Sequence, residues 1–242
     1  MDNDVNDFNC IISFSRYSVY KKQMVDGEKD ALFQLRFNSP NYDALLESVA
    51  FVVGRDTNEG EAGSRHAFEF RANKVQTLEL HLMEHGYKMN YNACLSLLYN
   101  LDSQNEFLIA SGFSIFCLCL KDILVIDDSC FVFVNPENLR TTDAKGDIVF
   151  LSPFSRYGFC SPELLAVCKL PCKVSCTTFH YSLGALAIFC MFHVNINKRS
   201  TGGSSDSNDS NVVCNEIIGT KLYYTISRLL HPDASKRIFL YV

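Results

Sequence analysis

The stretch from residue 161 to residue 192 does most to decide the fold, and it reads SPELLAVCKLPCKVSCTTFHYSLGALAIFCMF. It begins with the acidic motif Ser161-Pro162-Glu163, continues through a cysteine-rich loop, and ends in the strongly apolar run Leu183 to Phe192. Because that run is about half as long as a bilayer crossing requires, it predicts a buried core helix rather than a membrane span.

The composition is that of a protein with a sizeable core. The chain has 242 residues, of which 48% are hydrophobic, and a formal net charge of −5 from 22 basic and 27 acidic residues. These charges are mixed along the sequence, so no basic stripe favours nucleic acid as a partner. The acidic start, residues 1–7, lacks the basic and apolar segments of a secretory signal. We therefore expect an intracellular, cytoplasmic protein with no membrane partner.

Cysteine is frequent, but the eleven residues are an odd number and most lie in apolar segments, which predicts buried thiols rather than a disulfide framework. One run recurs at every fourth residue and has the residue types of a zinc site: Cys168, Cys172, Cys176 and His180. A helix would spread these side chains along about 18 Å, and Pro171 interrupts it. A loop could wrap an ion, yet the spacing matches no familiar zinc pattern. Core or loop thiols are the favoured interpretation, and no metal is predicted.

The first part of the chain favours short strands. Alternating residues predict strands within residues 10–20 and 31–37, and two further candidates are Val49 to Val53 and Ala67 to Phe70. An exposed loop is predicted at residues 54–65, which are rich in Gly, Asp, Glu and Asn. Together these segments predict a small antiparallel sheet.

The rest of the chain favours helices. Apolar spacing predicts helices near residues 77–83 and 93–101, and a final helix at Lys221 to Leu230 that His231-Pro232 ends. Two short apolar runs, 123–126 and 130–134, predict a hairpin, while residues 135–160 look irregular. A flexible loop is predicted at residues 198–211, which are rich in Ser, Gly, Asp and Asn. A strand-rich region followed by a helical one predicts an α+β architecture with two lobes.

Several segments together resemble the motifs of a protein kinase domain. Those that resemble the family are Ala67-Phe68-Glu69-Phe70 (hinge strand), Thr77-Leu78-Glu79-Leu80 (first large-lobe helix), Ile123-Leu124-Val125 (after the catalytic loop), Ser161-Pro162-Glu163 (the Ala-Pro-Glu motif), Ser182-Leu183-Gly184 (central helix) and His231 to Arg237 (the ending). The resemblance implies a kinase-like bilobal fold, with a small, reduced antiparallel β N-lobe at residues 1–72 and a mainly helical C-lobe at residues 73–242. It also implies structural roles for Glu163, Gly184 and Arg237, with Glu163 and Arg237 as a buried bidentate ion pair.

The positions that the resemblance assigns to catalysis hold other residues. Placing Asp122 in the slot of the metal-binding Asn puts Cys117 in the slot of the catalytic Asp, and a shift of two residues puts Cys119 there instead. Asn135 falls where the family has a metal-binding Asp, but a plain turn that opens a helix is the favoured interpretation of Asn135-Pro136-Glu137-Asn138.

The nucleotide-binding positions also depart from the family. Gly27 is the only glycine before Gly54, so no glycine-rich phosphate loop is present in the sequence. Arg36 falls in the slot of the phosphate-binding Lys, with Glu47 as a weakly assigned partner, and Phe179 replaces the Asp that braces the catalytic loop. Bulky residues near the glycine positions, Tyr17 among them, are expected to fill the cleft.

These departures predict a pseudokinase that binds no ATP or other cofactor and acts through protein contacts, as regulator or scaffold of a signalling enzyme. Its expected partner is an active kinase or another signalling protein. Two alternatives stay open: a structural or assembly protein with a kinase-like fold, and a residual atypical kinase or other transferase that uses Asp122, Asp127 or Asp128 as metal ligands. The compact size and drifted motifs are also similar to kinase-like proteins of large DNA viruses, which would place the chain in the host cytoplasm or the virion.

Overall fold

The computed structural model describes residues 8–22, 30–38, 42–54, 67–196 and 215–240. A small antiparallel sheet comes first, and a larger part in which helices dominate follows it. This order confirms the α+β class that the sequence predicts. The flexible loop predicted at 198–211 lies outside the described residues, as does most of the loop predicted at 54–65.

The sheet has four antiparallel strands in sequential order: β1 (Phe8–Ser13), β2 (Tyr17–Lys22), β3 (Ala31–Phe37) and β4 (Ala67–Ala72). Strand β3 has the predicted bounds, whereas the predicted strand region 10–20 is a hairpin of two strands. Because side chains alternate along a strand, Val19, Leu35 and Phe68 share one buried face, and Arg36 lies on the opposite face.

The prediction of a strand at Val49 to Val53 is wrong, since these residues belong to helix α1 (Asp43–Val53). Its β-branched and aromatic residues suggested a strand, but Leu45, Ser48 and Val49 recur at helical spacing and bury one side of the helix. The helix packs on a long helix further along the chain. Tertiary packing therefore overrides local β propensity here.

Two predicted helices follow the sheet and are confirmed. Strand β5 (Val75–Thr77) leads directly into α2 (Leu78–Glu84), and the longest helix, α3 (Tyr91–Ala110), comes next. The side chains of Thr77 and Asn90 accept hydrogen bonds from the first-turn amides of α2 and α3, which fixes where each helix begins.

The middle of the chain contains six short strands: β6 (Phe113–Ile115), β7 (Ile123–Ile126), β8 (Cys130–Phe133), β9 (Leu139–Thr141), β10 (Asp147–Phe150) and β11 (Cys172–Ser175). The predicted hairpin is present as β7 and β8. Residues 135–160 are less irregular than expected, since β9 pairs with β6 and β10 pairs with β11. Their partners lie far away in sequence, which local patterns do not show.

The remaining helices are α4 (Pro162–Leu165), α5 (Thr178–Phe192) and α6 (Lys221–Leu229). The buried helix predicted at 183–192 is present as α5, which begins five residues earlier, and the predicted final helix is α6. One cluster of buried apolar side chains runs from the sheet through α3 to α5 and α6, and a second lies under β10. In the described part of the chain, no helix combines the length and apolarity that a membrane span requires.

Candidate functional site

The turn between β1 and β2 meets the ends of the β7–β8 hairpin. From the turn come Arg16 and Tyr17, and from the hairpin ends come Asp122 and Asn135. Tyr157, in the irregular segment after β10, contacts both sides, since its hydroxyl accepts hydrogen bonds from Arg16 (3.2 Å) and from Asn135 Nδ2 (3.1 Å). We call these five residues the Arg16 cluster.

Asp122 is the buried carboxylate of the Arg16 cluster, with 6% of the residue exposed. Its backbone holds it in place, because its amide donates to Cys119 and its carbonyl accepts from Val134 at 2.8 Å. Its carboxylate accepts a hydrogen bond of 3.1 Å from Asn138 Nδ2. Burial raises the pKa of Asp122 to about 6, although hydrogen bonding and the charge of Arg16 oppose the rise.

Asn135 stands beside this carboxylate as a neutral amide. Its Oδ1 accepts the Glu137 amide at 3.0 Å and thereby caps a short 3-10 helix, Pro136–Asn138. The structure thus contains the helix-opening turn that the sequence predicts at these residues. Because residue 135 carries an amide and not a carboxylate, Asp122 has hydrogen-bond donors beside it and no second acid at that position.

Arg16 supplies the cationic group of the cluster. Its guanidinium forms an ion pair with Glu137 and donates to the Tyr157 hydroxyl, and 30% of its side chain stays exposed. The neighbouring Tyr17 is buried, and its hydroxyl donates to the Lys121 carbonyl at 2.5 Å. Burial and the nearby Asp122 raise the pKa of Tyr17 far above its usual value, so the phenol stays protonated. Two adjacent side chains therefore fasten the β1–β2 turn over Asp122.

Cys117 lies in the core and has the properties of a packed thiol. It is fully buried beside Phe116, and its Sγ donates to the Tyr157 carbonyl at 2.8 Å. Hydrogen bonding to Cys160 and burial raise the pKa of Cys117, and burial also raises that of Cys119. Neither thiol can accept a proton at neutral pH, as a catalytic base must.

Arg36 lies outside the cluster. Its guanidinium stacks on Tyr20, 4.7 Å from the ring centre, and donates to Gln34 on the same face of the sheet. Tyr17 projects from the other face, toward Asp122. Glu47 is exposed on α1, and no described ion pair joins it to Arg36.

The other predicted acids serve a tight turn. Asp127 and Asp128 are the central residues of the β7–β8 hairpin and have φ values of 49° and 57°. Asp127 accepts the amides of Asn73 and Lys74, and Asp128 lies 3.2 Å from a nitrogen of His81. Within the described ranges, no three His, Cys, Asp or Glu side chains lie close enough together to hold one metal ion.

The predicted structural residues come together around α5. The guanidinium of Arg237 forms two bonds with the Glu163 carboxylate, donates to the carbonyls of His231 and Pro232, and stacks on Tyr181 at 5.1 Å. Burial opposes ionisation of Glu163, but its hydrogen bonds, that from Arg237 foremost, together with the charge of Arg237 outweigh burial and lower the pKa of Glu163. Gly184 lets α6 approach α5, because an added Cβ would lie 3.0 Å from side-chain atoms of Leu229 and Leu230.

Three residues that position the site were missed from the sequence: Arg16, Tyr157 and Gly158. The tetrapeptide Phe-Ser-Arg-Tyr occurs at 14–17 and again at 154–157, and the two copies meet through Arg16 and Tyr157. Gly158 has φ +86°, and an added Cβ would lie 2.3 Å from the Leu118 carbonyl oxygen. The repetition of a tetrapeptide does not show which side chains meet, and no local pattern shows that Gly158 lies against the Leu118 carbonyl.

Comparisons with known proteins do not place the chain in a family. No protein-family model matches the chain, and a search of curated proteins finds no significant relative.

Proposed function

We propose that the chain is a pseudokinase: a protein with a kinase-like bilobal fold that does not transfer phosphoryl groups and acts by binding other proteins. The α+β order of elements supports the fold, with the β N-lobe at residues 1–72 and the helical C-lobe at residues 73–242. Further support comes from the Glu163–Arg237 pair and from the close approach of α5 and α6 at Gly184.

The closed Arg16 cluster is the observation that carries the proposal. Phosphoryl transfer needs carboxylates that hold magnesium, a base for the hydroxyl and backbone amides that cover the phosphates. Here an arginine and two tyrosines cover Asp122, an amide stands at Asn135, and the thiol of Cys117 is buried. Arg16 places a positive charge beside Asp122 and is itself paired with Glu137, so both groups are already engaged within the protein.

Without catalysis, the chain acts as regulator or scaffold. Its partner is an active kinase or another signalling protein, and it works in the cytoplasm without ATP, nucleic acid or a membrane. A fold does not dictate a function, so the partner has to be found by experiment.

The first test is a thermal-shift titration with ATP, with and without Mg²⁺ or Mn²⁺, because a ligand of the native state raises Tm. The wild type should show no shift at millimolar nucleotide. A metal-dependent shift that appears in Arg16→Ala would show that the arginine closes the site. Arg36→Ala is the matched control, since Arg36 is a cation on the opposite face of the sheet, and it should show no shift. A metal-dependent shift in the wild type would contradict the proposal.

A second measurement separates a regulator from an assembly protein. Analytical ultracentrifugation of the purified chain should show a species that does not grow with concentration. Concentration-dependent growth into large particles would instead favour assembly, while leaving the kinase-like fold in place.

A further inference from the structure

Two cysteine side chains face each other in the second core cluster. Cys117 Sγ and Cys160 Sγ lie 2.8 Å apart, and both residues are buried. A disulfide bond is about 2.05 Å long, so the two sulfur atoms have to move only slightly closer to form one.

The backbone explains why the pair is so well placed. Leu118 and Phe159 form an antiparallel bridge, in which the Phe159 amide donates to the Leu118 carbonyl at 2.8 Å. Cys117 and Cys160 are the next residues on either side, and so they lie directly opposite each other. Opposite residues of an antiparallel pair have Cβ atoms about 4.5–5.5 Å apart, close to the separation that a disulfide spans.

The environment makes the two thiols unequal. Hydrogen bonding between the two sulfur atoms lowers the pKa of Cys160 although burial opposes it, and the positive charge of Arg156 adds to the lowering. The same hydrogen bond and burial raise the pKa of Cys117. Cys160 therefore forms the nucleophilic thiolate more readily than Cys117, and the Cys117 sulfur is close enough to react with it.

We propose that Cys117 and Cys160 are a redox-modification site that closes to a disulfide when the protein meets a hydroperoxide. The Cys160 thiolate attacks a peroxide oxygen, the O–O bond breaks, and a sulfenic acid forms with release of hydroxide or alkoxide. Cys117 Sγ then attacks the sulfenic sulfur, so that the S–S bond forms and the hydroxyl leaves as water. Overall two thiols are oxidised, the peroxide is reduced, and the two thiol protons end in the products.

Access to Cys160 comes through the segment that covers it. Residues 151–153, 155 and 156 are exposed, and Arg156 holds this segment by donating to the carbonyls of Leu165 and Val167. Opening of this segment admits peroxide without unfolding the core. The disulfide would then fix the segment before Glu163 to the segment between β6 and Asp122. This inference rests on the thiol geometry and does not depend on the proposed function.

The test treats the reduced full chain with hydrogen peroxide, blocks remaining thiols by alkylation and digests it with trypsin without reduction. Mass spectrometry should find peptide 89–121 joined to peptide 157–169, with the loss of two hydrogens. Because these peptides also contain Cys94, Cys119 and Cys168, serine variants at those positions are the matched controls and should keep the link.

Cys117→Ser and Cys160→Ser should each abolish the joined peptide. Alanine variants at the same positions, together with circular dichroism spectra, show whether a loss reflects chemistry or failed folding. A wild-type chain that is oxidised at exposed Cys10 or Cys168 but contains no 117–160 link overturns the proposal. A link that survives in Cys117→Ser and Cys160→Ser overturns it as well.

Discussion

Replacement of Arg237 by methionine should destabilise the protein by about 3 kcal/mol, because breaking a buried ion pair costs roughly 3–5 kcal/mol. The methionine keeps much of the side-chain volume but removes every hydrogen bond to Glu163 and to the carbonyls of His231 and Pro232. The expected value lies at the low end because 28% of the Glu163 side chain is exposed, so water can hydrate the remaining carboxylate.

Removal of the other partner should cost more. The Arg237 side chain is 0% exposed, so Glu163→Ala leaves a guanidinium charge that water cannot reach, and about 5 kcal/mol is expected. Urea unfolding followed by circular dichroism gives both free energies. The double variant should lose less stability than the two single variants together, since the pair is already broken.

Lys236→Met is the matched control, because Lys236 is the neighbouring cation in a pair with Asp233 that is 3.8 Å long and largely exposed. It should cost no more than about 1 kcal/mol. The lowered pKa of Glu163 means that the pair stabilises the fold above the carboxyl's unfolded pKa, and that this stability is lost as the pH falls through its folded pKa. Equal unfolding free energies for Arg237→Met and Lys236→Met would refute a buried pair.

Two further predictions concern glycines and the buried acid. Gly158→Ala should destabilise the protein by about 3 kcal/mol, because the added Cβ clashes with the Leu118 carbonyl and the residue has a positive φ. Gly184→Ala should cost only about 1–2 kcal/mol, because the side chains of Leu229 and Leu230 can move aside, and equal values in urea unfolding would contradict this order. Asp122 has a raised pKa, so its ionisation should remove roughly 3 kcal/mol of stability as the pH rises from about 4 to about 6. Asp122→Asn should abolish this slope in a series of Tm measurements against pH, and a slope that persists in the variant would assign it to another group.

The sequence predicted those features whose signal is local. The alternation in Ala31–Phe37 gave strand β3 with the observed bounds, and the apolar spacing gave α3 and α6. Val49 to Val53 was misread because its β-branched residues favour a strand, while the helix is stabilised by packing on α3. Periodicity is informative where burial follows a single face, and it fails where distant contacts decide the structure.

The site was predicted unevenly for a similar reason. Glu163 and Arg237 could be paired because each lies in a segment that resembles a kinase motif, and the resemblance implies the pair. The positions of Arg16 and Tyr157 could not, since a long flexible side chain leaves no trace of its direction in the sequence. The stacking of Arg36 on Tyr20 could not be predicted either, because it depends on the pairing of β2 with β3.

The contact between Arg16 and Tyr157 joins residues 141 positions apart. Closing so long a loop costs more chain entropy than pairing the neighbouring strands β1 and β2, so the hairpin can assemble well before its turn is docked. We therefore expect docking of Arg16 to be a late step in folding, and we expect the part-exposed pair that holds it to be among the first contacts to open in the native protein. Amide hydrogen exchange at the β1–β2 turn would therefore report excursions in which the carboxylate of Asp122 is briefly uncovered while the core stays folded.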